Sequence, residues 1–154
     1  MQLYRIIFTL GLLFLLIGCN TDATEDSTGN KDNNIELTKI AANHPVDQQP
    51  SNQAKEALSQ QEGLTSVKAV NNSEKLLIAI DTEHHERFRL AKTRKQLTKD
   101  MKRQFSNMEV EFSTDKKINL ELEKLENQIL KGSISKKKLD KKIDQLIKLA
   151  KEKT

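Results

Sequence analysis

The densest cluster of side chains able to hold a metal or move a proton is Glu83-His84-His85-Glu86, two imidazoles between two carboxylates. Imidazole changes charge near neutral pH and is the commonest metal ligand, so chemistry would be sought here first. A zinc-protease helix needs a second histidine four residues after His85, so that both rings face one metal, but Arg89 occupies that place. The spacing favours a solvated loop whose acids help to start the next helix. A serine nucleophile would need a histidine base and an orienting acid, yet there is no Gly-x-Ser-x-Gly elbow and the one remaining histidine is His44. Five glycines, two of them Gly11 and Gly18, leave little material for a phosphate-cradling loop. No catalytic residue, metal ligand or cofactor is assigned, and the chain is not expected to be an enzyme. A metal-assisted hydrolase centred on His84 and His85 is the weakest alternative.

Cys19, the single cysteine, has a different chemistry. Before it, Arg5 is followed by an apolar run from Ile6 to Ile17, broken only by Thr9 and Gly11, and the first twenty residues carry no acid. That is the layout of an export signal, and the run is shorter than the roughly 20 apolar residues that a spanning helix wants. Leu16-Ile17-Gly18-Cys19 looks like the lipobox of bacterial lipoproteins: a small residue suits a narrow protease subsite, and the Cys19 thiolate can accept a diacylglyceryl group. Residues 1–18 are therefore expected to be removed, leaving a mature chain of about 136 residues, lipidated at Cys19, on the outer face of a membrane. Two acyl chains anchor stably, since each buried methylene contributes roughly 0.8 kcal/mol.

Behind these residues stand the elements that would position them. Residues 19–50 are rich in Asn, Asp, Thr and Gln, with scattered apolar residues such as Ile35, Leu37 and Ile40, and are expected to be a solvated tether. An edge strand at 35–40 is the alternative reading of its partial alternation. Ser51 is placed to cap a helix that carries Ala54, Ala57 and Leu58 and stops at Gly63. Val67 and Val70, then Asn71-Asn72-Ser73, then the continuous apolar run Leu76–Ile80, predict a hairpin with left-handed asparagine in its turn. From about Arg87 to Phe105, Leu90, Leu97, Met101 and Phe105 form one helical stripe, with Lys92, Lys99 and Arg103 opposite. Arg94 falls on the stripe and would have to extend its charged end past the core. Val110 and Phe112 alternate with acids in a third strand that ends at three consecutive capping residues, Ser113-Thr114-Asp115.

Beyond them Ile118, Leu122, Leu125 and Ile129, then Gly132-Ser133, then Leu139, Ile143, Leu146 and Ala150 predict two amphipathic helices joined by a turn. They could fold back as a hairpin, pack on the domain or pair with another chain. The fold class expected is α+β: a small α-β-β-α-β domain over 51–115, its sheet covered by two helices on one face, then a helical hairpin or tail over 116–154.

In this order of features the chain resembles the sporulation lipoproteins of the YhcN/YlaJ type. The residues that carry the resemblance are the lipobox at Cys19, Glu62-Gly63-Leu64-Thr65-Ser66-Val67 before the apolar strand through Ile80, and Val110-Glu111-Phe112-Ser113-Thr114-Asp115. The likeness reaches to about residue 118 and includes no catalytic motif. It implies a lipoprotein of the forespore or spore membrane, open to a part in germination. The same order also looks like the small domains that build rings in secretion channels, an analogy of fold alone.

Charge and aromatic content limit the partners. The mature chain has three aromatic residues, Phe88, Phe105 and Phe112, too few for a sugar- or base-stacking platform once the core has used them. Export makes nucleic acid a poor partner. Lys136, Lys137, Lys138, Lys141 and Lys142 give the last helix a positive face, read either as a solvated surface or as a contact for anionic headgroups or wall polymers. The expectation is a non-enzymatic envelope lipoprotein that binds a protein partner or self-associates through its C-terminal helices, with a ring or homo-oligomer subunit as the alternative.

Overall fold

The computed structural model describes residues 35, 37–41, 46–83 and 87–152. The export signal, Cys19, the tether up to residue 34, His44, and His84-His85-Glu86 lie outside the described residues. The elements run α1 (Gln49–Ser59), β1 (Leu64–Asn71), β2 (Lys75–Thr82), α2 (Arg87–Gln104), β3 (Glu109–Ser113), α3 (Lys116–Leu130) and α4 (Lys136–Glu152). The α+β class and the order of elements are those expected from the sequence.

The sheet has the order β1-β2-β3, with β1 antiparallel and β3 parallel to β2. Parallel neighbours cannot be joined by a tight turn, so α2 serves as the crossover between β2 and β3. The central strand β2 is buried on both faces, which is why it reads as an unbroken apolar run. Leu76, Ile78 and Ile80 point to one face, where they meet Ala54 and Leu58 of α1 and Leu97, Met101 and Phe105 of α2. Leu77 and Ala79 point to the other face, onto α3 and α4. The sheet is thus covered on both faces rather than one. The eight apolar residues of the tail seam, from Ile118 to Ala150, are all buried there, so the helical hairpin is a layer of the domain.

The local signals act in particular ways. Asp115 caps α3, accepting the N–H groups of Lys117 at 2.8 Å and Ile118 at 3.1 Å. At its other end Gly132, with φ 61°, donates to the Ile129 carbonyl while Ser133 N donates to the Gln128 carbonyl, a Schellman turn that sends the chain back into α4. Three expectations need correction. Ser51 does not cap α1; it lies in its first turn, and its N–H goes to Asn71 Oδ1 at 3.1 Å. The helix ends at Ser59, and Gly63, with φ 81°, instead leads the chain into β1. The hairpin turns without left-handed asparagine, because Asn72 Oδ1 accepts from Glu74 N and Lys75 N and closes an Asx turn.

The packed part of the chain starts before residue 50, where a solvated tether was expected. Ile40 is only 2 % exposed and lies on the α3/α4 side, while Ile35 and Leu37 lie against the α1/α2 side. None of the described residues from 35 to 41 is in a strand. Asn52 of α1 holds this arm through both backbone groups of Ile40, at 3.1 and 2.7 Å, taking the place of a neighbouring strand.

Candidate functional site

The two edges of the sheet are finished differently. At the β1 edge, Gln48 uses its amide to accept the N–H of Asn71 at 3.2 Å and to donate to the Asn71 carbonyl at 2.7 Å. Two residues earlier, the N–H of Ala69 donates to Glu126 Oε1 of α3 at 3.2 Å. Side chains therefore satisfy backbone groups that would otherwise recruit another strand.

The same carboxylate anchors a buried charge cluster. Lys55 Nζ of α1 lies 3.0 Å from Glu126 Oε1, each side chain 1 % exposed, and it also donates to the Thr38 carbonyl of the arm. Lys68 Nζ stands 3.9 Å from Glu126 Oε2, which has no hydrogen-bond partner among the described residues. Burial pushes the Lys55 ammonium below its usual range and the Glu126 carboxyl above its own, and their mutual attraction opposes both shifts. This cluster holds α1, β1, α3 and the arm together.

At the opposite edge β3 has β2 on one side and, among the described residues, no strand on the other. Between β3 and α2 lies a groove of about 1230 Å³ with a mostly apolar lining that includes Val110 and Phe112. Its rim is cationic: Lys92, Arg94, Lys95, Lys99, Lys102 and Arg103 all line it. The sequence places eight Lys or Arg residues and a single acid, Asp100, in α2. That acid is already engaged, by Gln96 at 2.9 Å and by Arg103, and the Gln96 hydrogen bond is the main cause that holds its carboxyl below the usual range. Among the described residues no carboxylate pairs with Lys92, Arg94, Lys95, Lys99 or Lys102. Arg94, the misfit on the apolar stripe, is half-buried and lines this groove. An apolar trough rimmed by cations, most of them without an ion-pair partner among the described residues, is suited to hold an anionic chain.

The lysines singled out in the last helix stand elsewhere. Lys136, Lys137 and Lys138 form the first turn of α4 and, with Lys141, are exposed, while Lys142 is half-buried. None of them lines the groove; Lys136 borders a separate hollow with Asn72, Ser73 and Asn107. The Glu83-to-Glu86 cluster is described only at Glu83, whose N–H donates to the Gly63 carbonyl at 3.3 Å. Among the described residues no three potential metal ligands come together, and no helix is long and apolar enough to cross a membrane. Sequence reasoning had noted Lys92, Lys99 and Arg103 only as the outward face of a helix. The signal that marks the groove is the charge imbalance of that helix, set beside a strand with no second neighbour among the described residues. No family model, curated protein or solved structure matches the chain.

Proposed function

We propose that the protein is a lipid-anchored lipoprotein of the cell envelope that carries out no reaction of its own and holds a protein partner in the groove between α2 and β3. The observation that carries this reading is the groove itself, apolar within and cationic at its rim, on the sheet edge that no further strand covers among the described residues. The apolar seam of α3 and α4 is committed to the sheet, so the partner surface is assigned to α2 and β3 rather than to the tail. The export signal and lipobox of the sequence support anchoring at Cys19. The resemblance to YhcN/YlaJ-type lipoproteins supports the forespore or spore membrane as the site, with a part in germination as its setting.

Two measurements test the reading. Cys19→Ala should move the protein from the membrane to the soluble fraction without altering its circular dichroism; a variant that stays bound after a high-salt wash would refute lipid anchoring. A photo-crosslinking residue at Thr98, in the groove, should capture a discrete envelope protein that the same residue at Leu120, 56 % exposed on α3, does not. Equal capture at both positions would remove the groove from the function.

A further inference from the structure

Resting on that reading, we infer that the groove's occupant is an extended, acidic segment of another protein, which adds to the sheet as a fourth strand beside β3 and directs a carboxylate toward α2 at every second residue. The backbone side of the argument is the open edge. Three outward groups of β1, at Asn71 and Ala69, are taken by Gln48 and Glu126, whereas β3 faces the groove with no strand beside it among the described residues. Strand addition uses such an edge, the main chain supplying affinity and alternate side chains supplying selectivity.

Periodicity and charge fix the rest. Side chains of an added strand alternate between the two faces of the sheet. Those on the face of Val110 and Phe112 meet α2, because these two residues pack in one cluster with Leu97, Met101 and Phe105. There the rim offers Lys92, Lys95, Lys99 and Lys102, so acids at alternate positions are complementary. The intervening side chains fall on the face of Glu109 and Glu111, where Lys151 is already paired with Glu109, so uncharged residues fit better than further acids. A uniformly acidic stretch is therefore a poorer match than an alternating one. A second copy of this chain is a poor occupant, since β3-to-β3 pairing would bring together two α2 helices that each carry eight cations and one acid.

The test uses the full chain in detergent micelles and a fluorescein-labelled peptide of four Glu-Thr repeats, read by anisotropy. The peptide should bind saturably. The same Glu-Thr peptide N-methylated at every residue keeps the charge but lacks backbone donors, and it should bind about tenfold more weakly or worse. Lys95→Glu/Lys99→Glu exchanges exposed residues for a good helix former and should weaken the Glu-Thr peptide by about tenfold or more. Lys136→Glu/Lys137→Glu, the same charge change on α4, should alter it by about twofold at most. Equal affinity for the Glu-Thr peptide and its N-methylated form, or loss of binding equal in the two double variants, would overturn strand addition in the groove. So would markedly tighter binding after Asp22, Glu25, Asp26 and Asp32 are changed to their amides, which would mean that the chain's own acidic segment fills the site. A Thr98 crosslink obtained alongside any of these failures would leave the envelope-binding reading standing and remove only the acidic strand.

Discussion

Lys55 and Glu126 allow the packing of the domain to be tested through a single interaction. Lys55→Met leaves a carboxylate buried beside an apolar thioether, and Glu126→Gln leaves a buried ammonium beside a neutral amide that can still accept the Ala69 N–H. Removing one partner of a buried pair costs about 3–5 kcal/mol, whereas removing both charges together is often close to neutral. The lower end suits Lys55→Met, because Lys68 is already 3.9 Å from the free oxygen and can take over part of the role. Each single variant is therefore expected to lose about 3–4 kcal/mol, and Lys55→Met/Glu126→Gln about 1–2 kcal/mol, a coupling of about 5 kcal/mol. For a unit of about 120 residues the unfolding entropy is about 0.25 kcal/mol/K, so each single variant should melt about 12–16 °C lower. The pH dependence follows from the direction of the shift. The raised Glu126 carboxyl holds its proton in the folded state to higher pH than the usual 4.5, so its ionisation costs stability as pH rises through that window. Without Lys55 to oppose burial, the window widens upward. The deficit of Lys55→Met should thus be smallest in acid and grow toward neutral pH. Single variants that cost under about 1 kcal/mol with no coupling, or a deficit of Lys55→Met independent of pH, would refute a buried and mutually dependent pair.

Two further outcomes are expected. Asp115→Ala removes the acceptor for two N–H groups of α3 and should cost about 1 kcal/mol, seen as a lower urea midpoint at unchanged slope; an unchanged midpoint would refute the cap. Gln48→Ala strands both backbone groups of Asn71 and should cost about 2–3 kcal/mol, with faster amide exchange at Asn71. Unaltered exchange there would show that Gln48 is not what closes the β1 edge.

Much of the fold was legible because its signals are periodic. The seam from Ile118 to Ala150 and the alternation of Val110 and Phe112 each state which side of an element is buried. They do not state against what. The continuous run Leu76–Ile80 was the one hint that both faces of the sheet are covered. The Lys55–Glu126 pair joins residues 71 positions apart, and each reads locally as an ordinary charged residue on a helix. Gln48 and Asn52 were equally silent, since an amide that replaces a strand has no spacing of its own. The arm at Ile35–Ala41 was misjudged because its few apolar residues divide between opposite sides of the sheet and so follow neither a helical nor a strand period. As for the groove, composition supplied its charge, but its shape depends on β3 lying parallel to β2 and at the edge, which only tertiary structure determines.

The unequal finish of the two sheet edges bears on how the molecule could assemble. Head-to-tail growth, whether it closes as a ring or runs on as a filament, requires every subunit to offer two complementary surfaces. Built through strands, such growth would need β1 of one copy to receive β3 of the next, and the backbone of β1 at Ala69 and Asn71 is already occupied. Any association by strand pairing must then stop after one step. By this geometry the domain is a chain terminator: a strand added beside β3 ends the sheet there, because the β1 edge does not pass the pairing on.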